Sequence, residues 1–166
     1  MTPSWDLFII LFFVIMTVYG LLLGRGRVFN ILINSYVGYV VAYELGGFAF
    51  QYLSRITELS HSVNVTMFGA KVFVFAFVLF ILTLNSELAG MRDDGLTSGA
   101  FTIAYGVLAA GLILSSIFLF MGDAERANLF ASSTLASRVY DFRIVWLIGP
   151  IATVLLGNII GKFGKK

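Results

Sequence analysis

The sequence predicts an all-α, polytopic integral membrane protein with about five transmembrane helices, the first two forming a tight helical hairpin. Composition is the first observation behind this. Of 166 residues, 59% are hydrophobic and only 12% charged, against about 25% charged in an ordinary soluble domain, and the mean hydropathy is +0.95. The second observation is that the apolar residues gather in long runs. A helix needs roughly 20 of them to cross about 30 Å of hydrocarbon. The third is that the charges fall mainly between those runs. Lipid offers the backbone no hydrogen-bond partner, so each run has to satisfy its own N–H and C=O groups as a helix. One transmembrane helical domain, 1–166, is expected.

The first segment, 7–23, reads "LFIILFFVIMTVYGLLL" and holds no charge. A cleaved signal peptide opens on basic residues, whereas the only charge ahead of this run is Asp6, so the segment is expected to remain as a helix. It ends in Gly24-Arg25-Gly26-Arg27, after which a second apolar segment runs over 28–53. Two long apolar runs so close together predict a hairpin with its charged tip at one membrane surface, glycines releasing the backbone at a four-residue turn. Arg25 and Arg27 then face the negative end of the first helix dipole.

The second segment carries one acid, Glu44, followed by Gly46-Gly47. An ionised carboxylate at depth is costly unless paired or hydrated. Glu44 is therefore either a proton or ion site, or an interfacial residue where the helix stops near Tyr43 and Gly-Gly breaks the chain. The third segment, 67–84, has Lys71 near its start, where a long stem can snorkel to the headgroups. The fourth, 99–120, and the fifth, 144–160, are free of charge.

Between the third and fourth, "NSELAGMRDDGLTSG" is rich in turn formers and reads as a surface loop. Within 123–143, Leu135, Val139 and Phe142 recur at helical spacing with Arg138 and Arg143 interspersed. That pattern fits a short interfacial helix or a plain connecting loop. Gly20-x-x-x-Gly24 and Gly157-x-x-x-Gly161 allow close helix approach, within one chain or between subunits.

With five crossings, the hairpin side carries Arg25, Arg27, Arg92, Lys162, Lys165 and Lys166, against Arg55, Arg126, Arg138 and Arg143 with Lys71 nearby. The positive-inside rule then puts the hairpin tip and C-terminus in the cytoplasm.

Several chemistries are excluded or unsupported. The chain has no cysteine, so thiolate metal sites, disulfides and a cysteine nucleophile are ruled out. A net charge of +2, with no basic run, offers nothing to nucleic acid. The one histidine, His61, neighbours Ser60, but adjacency in sequence does not make a nucleophile and base. Glu87, Asp93 and Asp94 form an acidic group in a loop, more simply read as solvated than as a cation site. Asn64-Val65-Thr66 is a glycosylation sequon only on a eukaryotic secretory route. No catalytic residue, metal site or cofactor is expected.

The hairpin supplies a resemblance. Asp6 at the start of the first helix, then "YGLLLGRGRVFNILI" and "NSYVGYVVAYELG", resembles the N-terminal hairpin of the colicin V production protein (CvpA) family, over about residues 5–50. Asp6, Gly20, Gly24, Arg25 and Gly26 match its pattern. The resemblance implies a small bacterial inner-membrane protein of several helices with an accessory role in export. The leading expectation is accordingly a non-enzymatic scaffold in export or envelope maintenance, with the lipid bilayer, itself or other membrane proteins as partners. The competing reading is an oligomeric channel or transporter subunit, lined by Glu44, Lys71, Asn30, Asn34 and Asn158.

Overall fold

A computed structural model describes residues 4–60, 65–85 and 96–163, and among them the chain is helical throughout, without strands. Helix α1 spans Trp5–Leu23. Ser4 caps it, its hydroxyl accepting from the Leu7 N–H at 3.3 Å, and Asp6 in the first turn suits the positive end of the dipole. The helix ends at Gly24, whose φ of 85° is open to glycine at little cost and whose N–H donates to the Gly20 carbonyl.

Helix α2, Arg25–Ser60, starts at the very next residue. The reversal is therefore made by Gly24 alone rather than by four residues, and Arg25, Gly26 and Arg27 form the first turn of α2. At the positive end of that dipole an arginine gains nothing from the helix, and the Arg27 side chain is exposed. At 36 residues, α2 is about 54 Å long, well beyond the hydrocarbon thickness and beyond the expected 28–53. It runs unbroken through Glu44 and Gly46-Gly47. Two mid-helix glycines cost roughly 1 kcal/mol each, and at Gly46 packing explains the choice, because a Cβ there would overlap the stem of Lys71.

Helix α3, Met67–Leu84, is capped by Thr66, whose hydroxyl accepts from the Gly69 N–H at 3.0 Å. It closes at Asn85, where the N–H and the side-chain amide both donate to the Ile81 carbonyl. The helix lies antiparallel along α2: Phe75 packs on Gly38, Lys71 on Gly46, and Asn34 donates to the Thr83 hydroxyl at 3.4 Å.

Helix α4, Leu96–Phe120, is the centre of the bundle and touches α1, α2, α3 and the helices that follow. Inside the structure, 61% of its apolar window is buried, against 11% for α1 and for α3. The outer faces of those two present Leu7, Leu11, Val14, Phe73, Phe77 and Phe80, all about half exposed or more. Apolar surface on that scale fits a lipid solvent.

After α4 the chain forms two short helices, α5 (Asp123–Ser132) and α6 (Thr134–Asp141), hinged at Ser133. The stretch expected to be one interfacial helix or a loop is thus a pair. Helix α6 packs between α1 and α4, with Ala136 and Val139 joining Ile9, Leu114 and Phe118 in one apolar cluster. Helix α7, Arg143–Phe163, returns along α4 and contains Pro150, which leaves the Trp146 carbonyl without its helical donor. Four helices, α1 to α4, are long and apolar enough to cross a membrane among the described residues. In α7, the fifth expected span, the apolar stretch described is the shorter Arg143–Thr153.

Two ends of the bundle follow from these contacts. Gly20 meets Val28 and Thr102, so the hairpin tip and the start of α4 share one end. Asp6, the start of α3 and the α4–α5 corner share the other, through the bonds and cavities described next.

Candidate functional site

The polar chemistry of the described residues concentrates at the second end. Asp6 builds part of it. Its carboxylate accepts from the Ser133 hydroxyl and, at 3.2 Å, from the Leu135 N–H, tying the start of α1 to the start of α6. Ser133 in turn accepts from the Ala136 N–H at 3.0 Å. A carboxylate at the head of α6 meets free N–H groups and the positive end of a dipole, which is why an acid suits this place.

Helix α6 delivers Tyr140 to a cluster of arginines. The Arg126 guanidinium lies 5.1 Å from the centre of its ring and that of Arg143 lies 4.7 Å away, while Phe130 packs at 5.2 Å. Stacking of this kind suits the flat, weakly hydrated guanidinium. Arg126 is also paired with Asp123, the one ion pair among the described residues. Arg143 has the Tyr140 carbonyl, at 3.4 Å, as its hydrogen-bond acceptor.

Two hollows open beside this cluster, and Leu119 belongs to the wall of each. One, of about 270 Å³, lies between α2, α4 and α7, with Tyr39, Leu112, Ser115, Arg143, Ile144 and Leu147 among its walls. Its serines are partly satisfied: Ser115 donates to the Val139 carbonyl at 3.4 Å and Ser116 to the Leu112 carbonyl at 2.7 Å. The other, of about 450 Å³, lies between the start of α3 and the α4–α5 corner and carries Lys71, Asp123, Glu125 and Arg126.

The residues singled out in the sequence are not gathered into one place. Gly20 is buried, and a Cβ there would stand 2.8 Å from Val28 and 3.6 Å from Thr102, so it is a packing position inside the hairpin and against α4. Gly24 makes the reversal, Gly26 is buried and Arg27 is exposed. Arg25 opens α2, and its side chain lies outside the described residues. Glu44 is exposed on α2. Along a helix the stretch from Gly24 to Glu44 rises about 30 Å, one hydrocarbon thickness. A hairpin tip at one surface would put Glu44 near the other, as the interfacial reading of this residue expects. Lys71 is consistent with that level, its stem against Gly46 and its ammonium 5.5 Å from the Tyr43 ring.

Asn34 bridges α2 to α3, and Asn30, one turn earlier, is 4% exposed. His61, Asn64, Glu87, Asp93 and Asp94 lie outside the described residues, as do the side chains of Ser60 and Asn158; Gly157 and Gly161 both fall within α7. No three His, Cys, Asp or Glu side chains converge among the described residues.

The reading of the sequence missed Asp6 as a cap on a distant helix, the arginine pair on Tyr140, and the central place of α4. Only the last left a local signal, the small residues of "GVLAAGLILSS". Comparison with protein-family models, with curated proteins and with solved structures finds no match to this chain.

Proposed function

We propose that this chain is a multi-pass protein of the bacterial inner membrane that works without catalysis, as a scaffold or accessory in export or envelope maintenance. The observation that carries the reading is the filled centre of the bundle. Helix α4 is packed on Gly106 against the backbone of α1, on Gly111 against Trp146 of α7, and through Tyr105 and Ala109 against Val28 and Leu32 of α2. The charged side chains whose burial is described lie at the ends or on outer faces: Arg27, Glu44, Arg55, Asp123, Glu125, Arg138, Asp141 and Arg143 are exposed, and Asp6, Lys71 and Arg126 half-buried. A close-packed interior of this kind suits a membrane-embedded platform better than a conduit through a single chain. The hairpin's resemblance to the colicin V production proteins, at Asp6, Gly20, Gly24, Arg25 and Gly26, supports the accessory role in export.

The competing reading, a conducting oligomer, places Glu44 on a path between chains. Purified protein in proteoliposomes separates the two. Ion and proton flux should stay at the level of empty vesicles. Robust flux that Glu44→Gln abolishes would overturn the scaffold reading.

A further inference from the structure

We propose that the crevice between α2, α4 and α7 holds one chain of an anionic phospholipid, with the lipid phosphate on Arg143. Ile144 and Leu147 in its wall are 62% and 42% exposed, so the crevice opens sideways, toward the space that lipid fills. Its deeper wall belongs to the central helix, where Leu112 and Leu119 flank Ser115 and Ser116, whose hydroxyls donate to the Val139 and Leu112 carbonyls. An acyl chain entering from the side would find hydrocarbon-like surface there. The crevice lies alongside residues of two candidate spans, 26–56 and 99–120, with Arg143 toward the end of the bundle where α7 begins.

Charge decides the headgroup. Arg143 lines the crevice and has no acidic partner among the described residues, whereas Arg126 beside it is paired with Asp123. Stacking on Tyr140 and the bond to its carbonyl hold the Arg143 side chain in place while leaving its charge uncompensated. Held this way, a guanidinium presents a planar fork of donors that matches phosphate oxygens. An arginine at the mouth of an apolar crevice offers a lipid both a cation for its phosphate and an apolar wall for its chain. Tyr39, also in the wall, makes no hydrogen bond to another described residue through its hydroxyl. This site is independent of whether the protein scaffolds or conducts, so its test and the flux assay fail separately.

The experiment is native mass spectrometry of the detergent-purified protein titrated with phosphatidylglycerol and, in parallel, with phosphatidylcholine of the same chains. The protein should retain one phosphatidylglycerol in clear preference to phosphatidylcholine. Arg143→Gln should lower that retention about tenfold, the scale of one lost charge-assisted contact, and Arg143→Lys should recover part of it. Arg143 is exposed, so these variants should fold; circular dichroism checks this. Leu147→Trp, which fills the crevice from its exposed wall, should reduce retention with Arg143 intact, and covers the case in which an arginine variant fails to fold. Excess inorganic phosphate should not displace the lipid, because it lacks the chain; displacement by phosphate would show an anion site without an acyl chain and overturn the proposal. Equal retention of the two lipids, or unchanged retention in both Arg143→Gln and Leu147→Trp, would overturn it as well.

Discussion

Asp6 shows how much one residue can organise in this chain. Its carboxylate joins two helices far apart in the chain, by accepting from Ser133, 127 positions away, and from the Leu135 N–H, 129 positions away. Removing it leaves the Leu135 N–H and the Ser133 hydroxyl without their acceptor, and the start of α6 without the negative charge that suits it. Asp6→Ala should therefore destabilise the folded protein by about 1–2 kcal/mol, read as a lower midpoint of unfolding in mild detergent. Asp6→Asn should lose less, since its amide oxygen still accepts. Equal stability of Asp6→Ala and the unsubstituted protein would show that the tie is incidental. In the sequence Asp6 was legible only as an acid beside the first helix. A bond spanning so many residues has no local period, and nothing near Ser133 announces an acceptor from the other end of the chain. The arginine pair on Tyr140 was illegible for the same reason, because Arg126 and Arg143 meet through the fold of α5 and α6 and not through spacing.

At the level of helices, apolar runs were legible and their ends less so. The runs expected at 7–23, 67–84 and 99–120 lie within α1, α3 and α4. The start of α2 was obscured because Arg and Gly were read as turn formers, when a single glycine with φ of 85° makes the reversal. Its far end was obscured because "SRITELS" is polar, and hydropathy marks where a helix leaves lipid, not where it stops. Packing between helices lies beyond hydropathy too, since lipid tails are as apolar as leucine and association depends on close fit. Glycines with different surroundings test this. At Gly106 a Cβ would stand 3.1 Å from the Thr17 Cα and 3.2 Å from the Met16 carbonyl oxygen, both backbone that cannot swing away, whereas at Gly47 nothing lies within 4 Å. Gly106→Leu should cost about 1–3 kcal/mol through overpacking of α1 on α4. Gly47→Ala should raise stability by about 0.5–1 kcal/mol through helix propensity alone. Thermal unfolding of both variants in the same detergent checks the contrast, and equal midpoints would remove the role given to Gly106.

For the molecule as a whole, the sidedness of the bundle was legible and its centre was not. Helices α1 and α4 are both long, apolar and free of basic residues. One is mostly exposed and the other mostly buried, because α4 alone interleaves Gly106, Ala109, Ala110 and Gly111 where neighbours press close. Sidedness, by contrast, follows from alternate crossings, and the geometry agrees with it: Gly20 meets Thr102 at one end, while Asp6 meets Ser133 and Lys71 shares a cavity with Arg126 at the other. Which end faces the cytoplasm is a separate question, and the positive-inside rule proposes the hairpin tip. A chain without cysteine lends itself to single-cysteine labelling. Gly26 is buried, so the exposed neighbouring position 27 is the better reporter of the tip, and the exposed Glu125 reports the α4–α5 corner. In intact cells a membrane-impermeant maleimide should label Glu125→Cys but reach Arg27→Cys, with Arg25 retained, only after permeabilisation. The reverse pattern would keep the bundle and invert its orientation. Labelling of both from outside would place the hairpin tip and the corner on one side, which two ends separated by the length of α4 do not allow.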